Sequence, residues 1–314
     1  MTLQMNWSRA GTLLQRLGSV IGLLLLFIVL SVMSPDFLTT GNLLTVLRQV
    51  SINALIAFGM TFVILAGGID LSVGAILAFT GAITAGLMAS GHGIVLAMGA
   101  GLGLGLVLGM VNGVLVSWGK VAPFIATLGT MTLLRGLTLS YTQGSPIPVT
   151  DQGFALMGGG YVAHLIPLPV IWMFIAFAVC GFLLRGTVFG RHVVAIGGNE
   201  EAARLSGVRV SPMKVAIYGL SGLLSAFAGI VLTSRLYSAQ ATAGAGYELD
   251  AIAAVVLGGT SLAGGRGWLF GTLIGALLIG FLNNGLNLLG VSSFYQQVVK
   301  GIVILIAVLL DRRQ

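Results

Sequence analysis

The residues best suited to a specific interaction form a charged island, Asn199-Glu200-Glu201-Ala202-Ala203-Arg204-Leu205-Ser206-Gly207, set between long apolar stretches. Asn199 has the side chain to cap a helix. Glu200 and Glu201 fall in its first turn, where a carboxylate meets the positive end of the helix dipole, and Gly207 is placed to end it. A helix this short is marginal in water by itself. A defined conformation there points to a groove on a partner, and a solvated loop with a transient helical turn is the equal alternative for a run of mixed charge. What the island offers is recognition.

Polar side chains inside apolar stretches are the second group. Asn53, Asn112, Asn283, Asn284 and Asn287 carry amides that suit sugar hydroxyls or neighbouring helices, and 283 and 287 fall on one helical face. Hydrogen bonding between helices is the favoured role, with lining of a path as the other. Asp70 follows Gly67-Gly68-Ile69 and precedes Leu71-Ser72-Val73-Gly74; it is expected to cap the next helix, with a part in a gate as the alternative. Arg135 and Lys300 lie within apolar runs and are expected to meet a carboxylate such as Glu248 or Asp250, or to snorkel, rather than to bind an anionic substrate.

Several chemistries are missing. Gly119-Lys120 is followed by Val and lacks the upstream glycine of a nucleotide-binding loop, so ATP hydrolysis belongs elsewhere. His92, His164 and His192 are far apart, and no triad or metal-ligand spacing is visible. No enzyme is indicated. None of the eight acidic residues sits at the centre of an apolar run, which disfavours proton coupling.

The elements that must position these residues are membrane helices. Only 15 Lys and Arg and 8 Asp and Glu occur in 314 residues, against about a quarter charged in ordinary globular domains. The net charge of +7 is too sparse and scattered for a nucleic-acid stripe and is read as topological. Ten candidate spans follow from the ~20 apolar residues needed to cross a bilayer: Leu17–Met33, Ser51–Leu65, Leu71–Ala89, Gly93–Val116, Pro123–Tyr141, His164–Leu184, Met213–Leu232, Trp268–Leu289, Phe294–Leu310 and, weakest, Glu248–Leu262. The last is either a full span or a re-entrant segment. Arg9 and Arg16 before the first run resemble a signal peptide, but no small-residue cleavage site follows, so an uncleaved membrane helix is expected.

With ten spans and the amino terminus inside, Arg9, Arg16, Lys120, Arg185, Arg191, Arg204, Arg209, Lys214, Arg266, Arg312 and Arg313 all fall inside. Only Arg48 and Arg235 fall at or near the outer face. Both termini are therefore expected inside. The chain reads as one all-α domain over 1–314, a polytopic bundle with an inner loop over 186–212 and an outer one from Thr142 to Ala163.

Glycine, 48 residues, allows close helix approach. Gly101, Gly105, Gly109 and Gly113 form one ridge and Gly267, Gly271 and Gly275 another. Packing within one subunit is favoured over a subunit interface for both. Cys180 is alone and is read as packing.

Four stretches carry a resemblance: Gly59-Met-Thr-Phe-Val-Ile-Leu-Ala-Gly-Gly-Ile-Asp-Leu-Ser-Val-Gly74, Ala195-Ile-Gly-Gly-Asn-Glu-Glu-Ala-Ala-Arg-Leu-Ser-Gly207, Gly246-Tyr-Glu-Leu-Asp-Ala-Ile-Ala-Ala-Val-Val-Leu-Gly-Gly-Thr-Ser-Leu-Ala-Gly-Gly265 and Phe281-Leu-Asn-Asn-Gly-Leu-Asn-Leu-Leu-Gly-Val-Ser-Ser293. From about Ser34 to the carboxyl end the chain resembles the permease family of ribose-type ABC importers. The resemblance implies an ABC importer permease fold in a bacterial inner membrane and a pathway for ribose. It implies as partners a second copy of the chain, membrane lipid, a cytoplasmic ATPase with two nucleotide-binding halves and a periplasmic sugar-binding protein. ATP and Mg would sit on the ATPase, with no cofactor on this chain. The island, through Asn199, Glu200, Glu201, Ala202, Ala203, Arg204 and Gly207, would be the coupling helix. The wider importer pattern continues with Ile-x-Leu-Pro, whereas Ile217-Tyr218-Gly219-Leu220 lacks the proline. Another monosaccharide or a sugar-like signal is the alternative cargo; a stand-alone carrier leaves the island unexplained.

Overall fold

The computed structural model describes residues 4–163 and 165–311. His164, Arg312 and Arg313, used above to place a span and the carboxyl end, lie outside the described residues. In chain order the helices are α1 (Gln4–Met33), α2 (Thr40–Leu65), α3 (Val73–Ala89), α4 (Ile94–Ser117), α5 (Pro123–Thr142), α6 (Gln152–Gly159), α7 (Leu168–Gly186), α8 (Val188–Gly198), α9 (Glu200–Leu205), α10 (Val210–Leu236), α11 (Tyr247–Leu257), α12 (Leu269–Leu288) and α13 (Ser293–Asp311). Two-residue strands interrupt them: β1 (Ile147–Pro148) pairs with β4 (Ser238–Ala239), and β2 (Tyr161–Val162) with β3 (Ile166–Pro167), both antiparallel.

Five helices, α2, α4, α7, α10 and α12, are long and apolar enough to cross a membrane by themselves. Shorter apolar stretches occupy α1, α3 and α13. α5 has the length, at 20 residues, but Thr127, Thr130, Thr132, Thr138, Thr142 and Arg135 dilute its apolar character.

Helix α2 is the axis of the bundle. From Val50 to Leu65 its side chains are buried on every face, as expected of a helix apolar all round and enclosed by others. α10, α12, α7 and α11 surround it. α4 lies against α10 along the first glycine ridge. A methyl group on Gly105 would meet Ala226, one on Gly109 the Tyr218 carbonyl, and one on Gly113 the Val215 backbone. The second ridge is likewise internal: Gly271 lies on the Gly258 carbonyl and Gly275 on that of Ala254, so α12 rests on α11. Both ridges pack within the subunit, because only a missing Cβ lets the backbones approach this closely.

The weakest expected span takes a distinct form. α11 covers 11 residues, and at 1.5 Å per residue it is about half the ~30 Å hydrocarbon thickness. The chain reaches it through residues 240–246, which are non-helical. This composite runs from one end of the bundle to the other. At its start Ala239 pairs with Ile147. Past its end, Gly265 N–H donates to the Leu65 carbonyl at 2.9 Å, in a loop touching Gly197 and Gly198 beside α9.

The expected outer loop contains α6, capped by Asp151 through a bond from Phe154 N–H at 3.0 Å. Ser234 Oγ ties α6 to α10, accepting from Gly158 N–H at 2.7 Å and donating to the Phe154 carbonyl at 2.6 Å.

Candidate functional site

The charged island folds as its local chemistry dictates. Asn199 Oδ1 accepts from Ala202 N–H at 2.9 Å and caps α9. Gly207 ends the turn at a φ of +88°, which favours glycine. Arg204 grips Glu201 through Nε at 3.1 Å and Nη2 at 2.6 Å, and Lys214 of α10 holds Glu200 at 2.6 Å. Arg204 keeps the Glu201 carboxyl below the usual carboxylate range. Ala203 alone of the helix is buried, against Ile196 and Val210. Leu205 stands 78% exposed at the tip. α9 is thus a formed, outward-facing knob with an apolar tip and an acidic first turn, seated by one alanine.

Its seat joins the centre of the bundle through glycines. Gly197 at the end of α8 lies directly on the Leu65 carbonyl and the Gly265 N–H, and a methyl group on Gly264 would meet Gly67 N and the Gly197 carbonyl. Gly264 and Gly265 hold positive φ of +85° and +72°. The ends of α2 and α8 and the α11–α12 loop therefore meet backbone to backbone. With no compressible side chain between them, displacement of one element is passed to the others.

Three residues beyond that joint is Asp70, fully buried. Its Oδ1 accepts from Ser72 N–H at 3.0 Å and Ser72 Oγ at 2.6 Å, and its Oδ2 from Ser221 Oγ at 3.0 Å. Asn112 Nδ2 donates to Ser72 Oγ at 2.8 Å and its Oδ1 accepts from Thr130 Oγ1 at 2.6 Å. The expectation that Asp70 caps α3 needs correction. Ser72 holds the N-cap position and makes no side-chain cap bond, while Asp70 closes an Asx-type turn one step earlier. The carboxylate is spent on joining the break between α2 and α3 to α10. Asp70 and Asn112 belong to one network linking α3, α4, α5 and α10.

The remaining amides divide. Asn284 exchanges two bonds with Asn42 of α2, at 3.0 and 2.7 Å, which is the interhelical role expected. Asn287 Oδ1 accepts from Gln296 of α13 at 2.8 Å. Asn53 and Asn283 are buried, each with an Oδ1 that has no hydrogen-bond partner among the described residues. Lys300 meets Asp250 of α11 at 3.0 Å, as a partner carboxylate was expected. Arg135 donates to two carbonyls, those of Ala241 at 3.3 Å and Ala243 at 2.6 Å, and the Glu248 carboxylate, one of the two expected partners, lies near enough to act on its charge. Sequence reasoning passed over residues 240–246; the available signal was Gly244 and Gly246 ahead of an acidic pair, which marks a helix start and an interrupted span.

Comparison with known proteins follows the same outline. Residues 42–308 match the family model described as branched-chain amino acid transport system / permease component. The ribose import permease protein RbsC of Bacillus subtilis is 63% identical, over 96% of this chain and 94% of that protein. The protein of the same name from Escherichia coli K12 is 53% identical over 94% and 93%. The L-arabinose ABC transporter permease protein AraH of Azospirillum brasilense is 40% identical over 96% and 88%. No solved structure matches.

Proposed function

The chain belongs to the family of branched-chain amino acid transport system permease components, and from that premise we propose that it is the membrane subunit of an ATP-driven importer that carries ribose. The observation that carries the cargo is the gradient of identity. It is 63% and 53% to relatives named for ribose import and falls to 40% for one named for arabinose, with nearly the whole chain covered in each case. The chain itself is not an enzyme.

In this reading the permease is a multi-pass inner-membrane protein working as two copies, with a cytoplasmic ATPase of two nucleotide-binding halves below and a periplasmic sugar-binding protein above. ATP and Mg belong to the ATPase. Helix α9 is the coupling element, supported by its capped first turn and exposed Leu205. ATPase closure pushes α9, and the glycine joint passes the displacement to α2, the Asp70 network and α11. The loaded binding protein biases the same access equilibrium from the far side. The chain crosses ten times, the segment of residues 240–246 with α11 counting as one crossing, and both termini face the cytoplasm.

The test is reconstitution with its ATPase and ribose-binding protein in proteoliposomes. ATP-dependent uptake of labelled ribose, with arabinose at least tenfold slower, is the expected result. Uptake of neither sugar, with the ATPase bound, would refute the ribose reading.

A further inference from the structure

Resting on the permease reading, we propose that the non-helical segment Gln240–Gly246 lines the translocation path and presents the Gln240 amide and the Thr242 hydroxyl to the sugar. Its depth is fixed by its neighbours. Arg135, past the middle of α5, holds the Ala241 and Ala243 carbonyls, and Gly244 packs on Gly74 and Leu77 of α3. Yet Gln240, Thr242, Ala245 and Leu249 are all exposed on the single chain.

Backbone that has left helical geometry cannot face hydrocarbon, since its N–H and C=O groups would lose several kcal/mol each, and it is tolerated at membrane depth only against protein or along a water-filled cavity. The outward face of this segment therefore meets water or a second copy. The neighbouring helix agrees independently. α5 is long enough to cross but is diluted by threonines, and it leaves Gly129, Thr132 and Gly136 exposed with open space beside both glycines. Gln240 and Thr242 on the unwound segment, with Thr132 of α5 among exposed Ile125, Leu128, Leu133 and Leu137, put hydroxyl and amide groups without fixed charge on an otherwise apolar wall, which suits a neutral polyol. Interrupted spans are where carriers place midplane sites; here Gln240, next to the β1–β4 pair, stands at the mouth of the path and Thr242 further along it. Arg135 is a positioning residue: its guanidinium is engaged by the two carbonyls that fix the turn and its charge by the nearby Glu248.

The native chain has one cysteine, Cys180, and it is buried, so single-cysteine labelling has a low background. Gln240→Cys and Thr242→Cys would be tested in the complex with ATPase and binding protein, using a charged methanethiosulfonate. Val179→Cys on the exposed apolar face of α7 is the lipid-facing control. The two path positions are expected to react at least tenfold faster than Val179→Cys, with rates that change when ribose-loaded binding protein and ATP are added. Arg135→Met should alter the Thr242→Cys rate and Arg135→Lys restore it in part. If both positions react only with a lipid-soluble maleimide, as the control does, the segment faces lipid and the inference is overturned. Ribose uptake by the unlabelled variants separates the two claims. Normal uptake with lipid-like labelling sinks only the path assignment, whereas absent uptake by the parental chain sinks the permease reading.

Discussion

Asp70 Oδ2 accepts a hydrogen bond from Ser221 Oγ at 3.0 Å across 151 residues of sequence, with both side chains fully buried. This bond ties the break between α2 and α3 to α10, the helix that follows α9. A hydrogen bond contributes about 0.5–1.5 kcal/mol net, and a buried partner left unsatisfied costs about 1–3 kcal/mol. Ser221→Ala should therefore lower the melting temperature of the purified permease and weaken the coupling of ATP hydrolysis to uptake. Asp70→Ala, which strands the donors of both Ser72 and Ser221, should cost more. Unchanged melting and transport in both variants would show the network to be incidental.

Glu201 sits where the α9 dipole is positive and is paired with Arg204. The dipole contribution is only ~0.3–1 kcal/mol, but a like-charge contact across an interface costs several kcal/mol. Glu201→Lys should abolish ATPase retention and transport while insertion and dimer formation persist, and Leu205→Asp should do the same through the apolar tip. Because the Glu201 carboxyl is held low by Arg204, the ion pair is present at neutral pH and is lost, as pH falls, at a lower pH than an unpaired glutamate would titrate. Co-purification of the ATPase across pH reads this directly.

Lys300 and Asp250 form an ion pair in which the aspartate is almost wholly enclosed, its side chain 6% exposed. Removing one partner of such a pair costs about 3–5 kcal/mol, more than the pair contributes over an apolar replacement. Lys300→Met should destabilise strongly, and adding Asp250→Asn should recover most of the loss. A double variant as unstable as the single one would show that Lys300 acts by something other than neutralising Asp250.

At Gly109 a side chain would run into the Tyr218 carbonyl, which is backbone and cannot rotate away. Gly109→Val is expected to destabilise by the ~1–3 kcal/mol or more of an overpacked contact, read as a lower melting temperature and poor insertion. The same change at Gly129, beside open space, should leave folding intact; equal damage at both sites would contradict the internal placement of the α4 ridge.

Reporter fusions at the carboxyl terminus test the ten-crossing arrangement. Activity in the cytoplasm is expected, and activity solely in the periplasm would mean that residues 240–246 and α11 turn back on one side.

What the sequence determined by itself was whatever depends on neighbours a few residues apart or on bulk composition. The scarcity of charge decides for a membrane bundle, because hydrocarbon penalises ionised groups wherever they fall. The α9 cap at Asn199 and its stop at Gly207 were legible because the bond involved closes over three residues. Only the tertiary structure decided which partners are used. Asp70 reaches Ser221 of α10 as well as Ser72 at the start of α3, Lys300 chooses Asp250 over Glu248, and Arg135 hydrogen-bonds two carbonyls beside the Glu248 carboxylate. These choices join residues far apart in the chain, and no periodicity encodes them. The sequence marked 248–262 as the weakest span, either full or re-entrant, but not the non-helical stretch 240–246 ahead of it, because a half-helix in a membrane is sustained by the elements packed around it, here Arg135 and the glycine faces of α3 and α12.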